Sequence, residues 1–317
     1  MTNTLRLLLV VAMFFLCCTI VRADDLKPDE FKPLEANGKL YDTLTALGAR
    51  IRTDDEKNGF LDPFGPAPVH FQLVLTGRWR GGDNGLKHLV EIPGLQAVSL
   101  RASTTTDAGV AHLAELTDLR ALMLSRTGVT EKGVKHLHKL TNLEFLWLDA
   151  TRAGDGGLEV LAGLPQLKFL WLSEQTTDAG LEKLKPLKKL EGLYLGGSQV
   201  TDKGLQHIAG LSALRRLELQ STLITDRGII HVAGLTNLEH LRLDGTNVSD
   251  MGISRLKELK KLRLLNLGGT KVGDTGLDSL TELEELRYLI LTGTNVSEKG
   301  TTKIKDAIPN VYVESRN

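Results

Sequence analysis

One glycine recurs at an almost constant interval through most of the chain, and this interval constrains the fold more than any other feature. Successive copies are 24 residues apart, except for one interval of 23 between Gly157 and Gly180. A period of about 20–29 residues is typical of repeat proteins, whose short units bury their apolar faces only by stacking. The recurring glycines are Gly85, Gly109, Gly133, Gly157, Gly180, Gly204, Gly228, Gly252, Gly276 and Gly300.

Each repeat follows the template LxxLxLxxTxVTDxGLxxLxxLxxL, in which two apolar periods succeed each other. In the LxL segment leucines alternate with variable residues, which predicts a short strand that buries Leu122 and Leu124. In the GLxxLxxL segment the spacing of three places Val134, Leu137 and Leu140 on one face of a helix. The sequence therefore predicts one strand and one short helix in every repeat.

Threonine or serine stands in front of most of the predicted helices, where a hydroxyl can accept a hydrogen bond from a free amide of the first turn. The aspartate or glutamate that follows suits the positive end of the helix. Paired strands lie about 4.8 Å apart, whereas packed helices lie about 8–10 Å apart, so the stack must curve with its strands inside. The capping positions are Thr106, Thr130, Thr177, Thr201, Thr225, Ser249 and Ser297.

With these motifs, the segment from Leu73 to Val313 resembles the leucine-rich repeat proteins, and within them the subclass with V-T-D-x-G-L helices. That subclass occurs in F-box substrate adaptors and in many secreted bacterial proteins. The resemblance implies an α/β fold, a right-handed curved solenoid with a parallel sheet on the concave face and short helices on the convex face. It also implies binding without catalysis. An F-box role is disfavoured because a signal-like segment stands where an F-box would be needed.

This chain departs from the family pattern after LxLxx, where many such repeats carry asparagine or cysteine. Threonine occupies the position here, and a row of threonines can hydrogen-bond along the stack. Because of this departure, the family pattern does not predict the turn geometry at this position. The threonines are Thr127, Thr151, Thr222, Thr246, Thr270 and Thr294.

Residues 1–23 read as a secretory signal peptide. Arg6 supplies the positive end, the stretch from Leu7 to Ile20 is apolar except for one threonine, and Val21 and Ala23 suit the cleavage positions. We expect a mature chain that begins at Asp24 and is secreted or periplasmic. The alternative is an uncleaved segment that anchors the protein in a membrane by its N-terminus.

Residues 24–68 form an N-terminal flank, and residues 69–317 form the repeat domain of about ten units. In the flank, apolar residues from Leu40 to Leu47 recur at helical spacing, and Gly48 follows as a stop, which predicts a capping helix. The first strand is predicted from Val69 to Leu75, and the repeat domain is expected to contain eleven parallel strands. Trp79 is expected to fill the first repeat rather than to bind a ligand.

Composition and motifs argue against several classes of function. The formal charge is zero, so there is no electrostatic case for binding nucleic acid. Both cysteines, Cys17 and Cys18, lie in the signal segment, so the mature chain has no thiol nucleophile or cysteine-based zinc site. No nucleophile elbow, HExxH or phosphate loop is present. We therefore predict no enzyme activity, no metal and no cofactor.

Two rows of polar residues also have structural explanations. One histidine row, three residues after the glycine, is predicted to lie on the outer face, too widely spaced for one zinc ion. The aspartate row marks helix starts, with calcium binding as the alternative. The histidines are His88, His112, His136, His207 and His231, and the aspartates are Asp107, Asp155, Asp178, Asp202, Asp226, Asp250 and Asp274.

The variable residues of the LxL strands face the concavity, and there the chain concentrates its aromatic side chains. Five lie on three adjacent strands, and a charged patch follows on the next two strands. The candidate site consists of Phe145, Trp147, Phe169, Trp171, Tyr194, Arg216, Glu218, His240, Arg242 and Asp244.

Two explanations account for the aromatic residues. The first is that they serve only as cross-strand pairs that stabilise the sheet. The favoured explanation is an exposed apolar patch rimmed by polar groups, which usually marks an interaction site, with aromatic anchors next to arginine. We expect a protein or peptide partner. The alternative is a glycan or cell-wall ligand, with Trp147, Trp171 and Tyr194 stacked on sugar rings.

Overall fold

The protein is a leucine-rich repeat solenoid built on one curved sheet. The computed structural model describes residues 38–51 and 73–315, and in these ranges twelve strands pair strictly in chain order. The strands are β1 Arg50–Ile51, β2 Leu73–Val74, β3 Ala97–Ser99, β4 Ala121–Met123, β5 Phe145–Trp147, β6 Phe169–Trp171, β7 Gly192–Tyr194, β8 Arg216–Glu218, β9 His240–Arg242, β10 Leu264–Asn266, β11 Tyr288–Ile290 and β12 Tyr312–Glu314.

Eleven of the strands, β2 to β12, are parallel, which confirms the number and direction predicted from the repeats. The sequence did not predict β1, which pairs antiparallel with β2 and closes the N-terminal edge of the sheet. The predicted signal peptide, the expected start at Asp24 and the predicted strand residues 69–72 lie outside the described ranges.

Short helices return the chain from each strand to the next. Several continue into, or are replaced by, a turn of 3₁₀-helix, which suits the tight spacing of the units. The α-helices are α1 Lys39–Ala46, α2 Gly82–Gly85, α3 Asp107–Leu113, α4 Glu131–Lys135, α5 Leu158–Leu161, α6 Asp178–Lys183, α7 Asp202–Ile208, α8 Asp226–Val232, α9 Asp250–Ile253, α10 Asp274–Asp278 and α11 Glu298–Ala307. The 3₁₀-helices are Leu86–Glu91, His136–Lys139, Asp155–Gly157 and Leu256–Glu258.

The template leucines form a continuous core between the sheet and the helices. Leu122 and Leu124 of one strand, and Val134, Leu137 and Leu140 of the following turn, are fully buried, as the apolar spacing predicts. Each position recurs in the neighbouring repeats, so the core extends along the solenoid without a break. The sheet is thereby fixed with its variable side chains on the concave side.

The N-terminal end of this core is closed by α1 and by Trp79. Leu44 of α1 is buried, and Gly48 follows the helix in a left-handed conformation with φ 92°, as predicted for a stop. The Trp79 ring is 4% exposed, and its Nε1 donates to the Gly82 carbonyl at 3.0 Å. Trp79 therefore fills the first repeat, as expected from the sequence.

The aspartate row joins each repeat to the next, a role beyond the predicted helix start. Asp178, for example, accepts from the backbone amide of Thr201 at 2.8 Å and from its hydroxyl at 2.6 Å. A Cβ on Gly204 would lie 2.4 Å from the same carboxylate, which explains why the position holds glycine. The equivalent pairs are Asp83–Thr106, Asp107–Thr130, Asp155–Thr177, Asp202–Thr225, Asp226–Ser249 and Asp274–Ser297.

The threonine row, by contrast, bonds within its own turns and not along the stack. Thr127 Oγ1 donates to the Leu124 carbonyl at 2.6 Å, three residues earlier. The other five threonines make the same contact at 2.5–2.7 Å. The hydroxyl therefore satisfies a carbonyl at the end of each strand and fixes the bend that leads to the helix. Among the described residues, none of the helices has the length and apolarity needed to cross a membrane.

Candidate functional site

The aromatic residues of the candidate site form two stacked rows on the concave face. Parallel pairing places Phe145 beside Phe169, and Trp147 beside Trp171 and then Tyr194. The ring centroids of the two phenylalanines are 5.1 Å apart, those of the two tryptophans 4.6 Å, and those of Trp171 and Tyr194 4.0 Å. The interplanar angles in these pairs do not exceed 17°, so each ring covers the face of its neighbour.

The structure corrects the expectation that these rings are exposed. Phe145 and Trp147 are each 2% exposed, and Tyr194, Phe169 and Trp171 are 4–6% exposed. Together with Ala97, Ala121 and Met123 they make a second hydrophobic cluster, separate from the leucine core. We call these eight residues the concave cluster. The sheet from β3 to β7 is therefore buried on both faces, which the alternating pattern alone does not reveal.

A missing side chain on β7 makes room for the concave cluster. A Cβ on Gly192 would lie 2.5 Å from Cδ1 of Phe169 and 3.0 Å from Cε2 of Tyr194. Both rings therefore lean over the glycine backbone, and any larger residue would displace them. Gly192 also separates the cluster from Arg216, its register partner on β8.

The charged residues of the candidate site lie on β8 and β9 and form a hydrogen-bonded network. Arg242 donates through Nε and Nη2 to the two carboxylate oxygens of Asp244, at 3.1 Å each, which is the bidentate geometry that arginine favours. Its Nη1 also lies 3.8 Å from Glu218 Oε2, to which Gln220 donates at 3.2 Å. Arg242 therefore holds both carboxylates of the patch.

Arg216 is the exception in this network. It is 9% exposed, its backbone amide donates to the Glu191 carbonyl at 3.0 Å, and no hydrogen bond or ion pair links its guanidinium to another residue of the ranges 38–51 and 73–315. The nearest carboxylate along its own strand, that of Glu218, is directed to Arg242 and Gln220. The Arg216 side chain is therefore largely buried beside the concave cluster, and its guanidinium has no counter-ion among the described residues.

His240 lies beside Arg216 on the sheet and is half-buried. Burial lowers the pKa of His240 to about 3, and the positive charges of Arg216, Arg263 and Arg215 add to the effect. The imidazole is therefore neutral at physiological pH. It adds no charge to the patch and leaves the cationic character of this region to the arginines.

Exposure changes along the concave face at β8. The outward residues of β3 to β7 are all buried, whereas Glu218, Arg242, Leu264, Tyr288 and Ile290 are partly exposed. We call the partly exposed outward residues of β8 to β11 the accessible strip, which consists of Glu218, His240, Arg242, Leu264, Tyr288 and Ile290. It combines charged and apolar side chains and is the part of these outward rows that is open to solvent. Of the ten predicted site residues, the structure thus brings five into the concave cluster and five into or beside the accessible strip.

Sequence reasoning missed a ladder of alternating charge at the entrance to each strand. Glu144 accepts from Arg120 at 2.6 Å and pairs with Lys168 at 2.7 Å, and further along Arg215 pairs with Glu239 at 2.8 Å. The signal was present in the sequence, because the residue two before the buried strand leucine changes sign at every repeat from Arg120 to Arg263. A lateral groove of about 410 Å³ lies here, lined by Glu191, Ala213, Arg215, Asn237, Glu239 and Lys261.

The lateral groove is a weak candidate for a site, because its central arginine and glutamate neutralise each other. In the described part of the chain, no group of three histidine, cysteine or acidic side chains is placed to hold a metal ion. The aspartate row that the sequence left open to calcium is engaged by the amides and hydroxyls of the next repeat. The accessible strip and Arg216 therefore remain as the strongest candidate for a site.

Comparisons with known proteins found similar solved structures but no relative by sequence. No protein-family model matches the sequence, and no curated protein is a significant relative. The chain is similar to an internalin (InlF) of Listeria monocytogenes, with 21% identity, 73% of this chain and 82% of that chain covered, and a TM-score of 0.38. It is also similar to internalin C2 of the same species, with 24% identity, 74% and 83% coverage, and a TM-score of 0.45. The fold assignment itself rests on the repeat period and the sheet register.

Proposed function

We propose that this protein is an extracytoplasmic, non-catalytic binding scaffold that holds a protein or peptide on its concave face. The observation that carries the proposal is the change of exposure at β8, where a buried aromatic surface gives way to the accessible strip. Leu264, Tyr288 and Ile290 offer apolar contact there, next to the charged side chains of β8 and β9. Interfaces commonly combine aromatic or aliphatic anchors with arginine in this way.

The chemistry of the accessible strip suits recognition better than catalysis. A general acid and base need carboxylates or imidazoles with pKa values near neutrality and access to a substrate. Here Arg242 pairs with both Glu218 and Asp244, and His240 has a pKa of about 3. These groups can fix the orientation of a partner through hydrogen bonds, but they are poorly placed to exchange protons with it.

The concave cluster supports the accessible strip in this proposal. Phe145, Trp147, Phe169, Trp171 and Tyr194 are stacked and buried, so they hold β5 to β7 rigid next to β8. A rigid site loses less conformational entropy when a partner binds. The aromatic residues therefore belong to the proposed site as its floor, while Arg216, Glu218, His240, Arg242 and Asp244 supply its polar contacts.

The glycan alternative requires an aromatic face that is open to a sugar ring. Trp171 lies between Trp147 and Tyr194, with ring centroids 4.6 Å and 4.0 Å away, so both faces of its indole are occupied. The stacked geometry therefore does not favour a sugar-stacking site, and we retain the protein or peptide partner.

The experiment is affinity capture from the extracellular fraction of the source cells, followed by affinity measurement with variants. Arg242→Ala and Tyr288→Ala, both in the accessible strip, should each weaken the captured complex by about 2 kcal/mol or more if they are hot spots. The matched control is Arg227→Ala, an exposed arginine of α8 on the convex side, which should bind like wild type. Equal affinity of the two strip variants and the control would refute the assignment of the surface.

A further inference from the structure

Among the charged residues of β8 and β9, Arg216 is the one whose charge is not paired. Arg242 lies between two carboxylates, 3.1 Å from Asp244 and 3.8 Å from Glu218, and both carboxylates are directed towards it. In the lateral ladder beside the patch, Arg215 is likewise paired with Glu239. Arg216 is the one arginine of the described residues that is about nine-tenths buried, and its guanidinium makes no hydrogen bond to a carboxylate or carbonyl among them.

The residues around Arg216 do not compensate the positive charge of its guanidinium. On one side its register partner is Gly192, over which the rings of Phe169 and Tyr194 lean, so an apolar wall replaces a side chain that could solvate the charge. On the other side lies His240, which is uncharged at neutral pH. An unpaired charge on a largely buried side chain is unfavourable, so a ligand that supplied the opposite charge would be stabilised there.

We propose that Arg216 binds a carboxylate of the partner, either an acidic side chain or the free C-terminus of a peptide. The planar guanidinium presents paired N–H donors that match the two oxygens of a carboxylate. A peptide that lies along the accessible strip would place its carboxylate against the wall formed by Phe169 and Tyr194. This inference rests on the proposed function, because it names the chemical group that the same surface recognises.

The local charges favour a carboxylate over a phosphate. Glu218 lies two residues after Arg216 on the same strand, and Asp244 lies two residues after the end of β9. Their negative charges would repel a doubly charged phosphate more strongly than a singly charged carboxylate. One guanidinium also supplies one pair of parallel donors, which a carboxylate satisfies completely, whereas phosphate sites generally gather several cations or amides.

The first experiment is an array of random peptides, each printed with a free and with an amidated C-terminus, probed with wild type, Arg216→Lys and Arg216→Gln. Wild type should prefer acidic peptides or free C-termini, and Arg216→Gln should lose roughly 10- to 100-fold in affinity for the best of them. The affinity of Arg216→Lys should lie between those of wild type and Arg216→Gln, because lysine keeps the positive charge but lacks the paired N–H donors. Arg227→Gln serves as the control and should bind like wild type.

The array results identify which carboxylate is bound, and they distinguish failure of the inference about Arg216 from failure of the proposed function. Loss of binding with amidation assigns the C-terminus, and loss on replacing an internal acid assigns the side chain. If wild type and Arg216→Gln select the same peptides without preference for acids, the inference about Arg216 is overturned and the proposed function stands. Preference for phosphopeptides over their acidic counterparts would also overturn it.

A second experiment needs no partner and tests Arg216 alone. Thermal unfolding is compared in sodium acetate and in sodium chloride at equal ionic strength. Acetate should raise the midpoint of wild type and leave that of Arg216→Gln unchanged, and without acetate Arg216→Gln should be at least as stable as wild type, because it removes an unpaired charge. A destabilised Arg216→Gln, or an equal response of both proteins to acetate, would overturn the inference even if no peptide on the array is bound.

Discussion

The concave cluster should contribute as much stability as a hydrophobic core. Trp147 is 2% exposed and Trp171 6% exposed, and their rings stack on each other at 4.6 Å. Replacing one buried tryptophan by alanine typically costs about 3–5 kcal/mol, and loss of a stacked partner adds about 0.5–1.5 kcal/mol per pair. Because the two cavities merge, we expect about 5–8 kcal/mol for the double variant Trp147→Ala, Trp171→Ala, somewhat less than the sum of the single changes.

This magnitude distinguishes the structure from the sequence-based expectation. If the rings stood exposed on the sheet, the same double change would remove only cross-strand pairing and cost about 1–2 kcal/mol. Domains are stable by only about 5–15 kcal/mol, so the single variants should be measured first. The suitable assay is urea unfolding monitored by far-UV circular dichroism, because the substitutions remove tryptophans that would report unfolding by fluorescence.

Two control variants show the loss of stability expected for a buried and for an exposed side chain. Leu146→Ala, in the leucine core of the same strand, should cost about 2–5 kcal/mol, and Met251→Ala, which is 65% exposed on α9, should cost less than about 0.5 kcal/mol. We expect Trp147→Ala to behave like the leucine variant. If it instead behaves like Met251→Ala, the rings are open to solvent, and the aromatic surface becomes the partner site that the sequence favoured.

The remaining predictions concern the repeat ladder, acid stability and processing. Asp178→Ala should cost about 1–3 kcal/mol in urea unfolding, because it leaves an amide and a hydroxyl of the next repeat unpaired, whereas the exposed Asp118→Ala should be nearly neutral. Gly204→Ala should destabilise by a similar or larger amount, since its Cβ would lie 2.4 Å from the Asp178 carboxylate. The pKa of His240 is about 3 in the folded protein, against an ordinary value of 6.5. Between these pH values the unfolded chain therefore binds a proton at His240 and the folded chain does not. Stability should therefore fall on acidification between these values, by up to about 1.4 kcal/mol per pH unit, and His240→Gln should flatten this slope. An unchanged slope in His240→Gln would show that the ring protonates in the folded protein. N-terminal sequencing of exported protein should begin at Asp24, and a retained first residue in the membrane fraction would support the anchored alternative.

Much of the fold could be predicted because its determinants repeat at a fixed interval. The leucines of LxL and the apolar residues after the glycine identify their own burial through their spacing, and the structure places Leu122, Leu124 and Val134 in the core accordingly. Six of the seven capping hydroxyls could also be predicted, since Thr130, for example, needs only its own helix to accept from the amide of Lys132. The prediction was wrong for Thr106, whose hydroxyl donates to Asp83 and makes no bond to its own helix. Such contacts are local, so one repeat contains the information that determines them.

Contacts between repeats were less predictable. The aspartates were predicted as helix starts, yet each carboxylate bonds the helix cap of the following unit, and the glycine is required because its missing side chain lets that carboxylate approach. The alternation of charge from Arg120 to Arg263 was visible in the sequence, but its meaning depends on strands 24 residues apart lying side by side. These patterns become interpretable only once the register of the stack is known.

The sequence by itself determined the period, the strand direction and the set of side chains on the concave face, because alternation along a strand assigns faces without reference to any neighbour. Only the tertiary structure decided which of those side chains are reachable. Exposure depends on what lies beside a residue in space: the rings of Trp147 and Trp171 bury each other, and Gly192 lets Phe169 lean across β7. Pairing is decided in the same way, since Arg242 binds two carboxylates and leaves Arg216 without one.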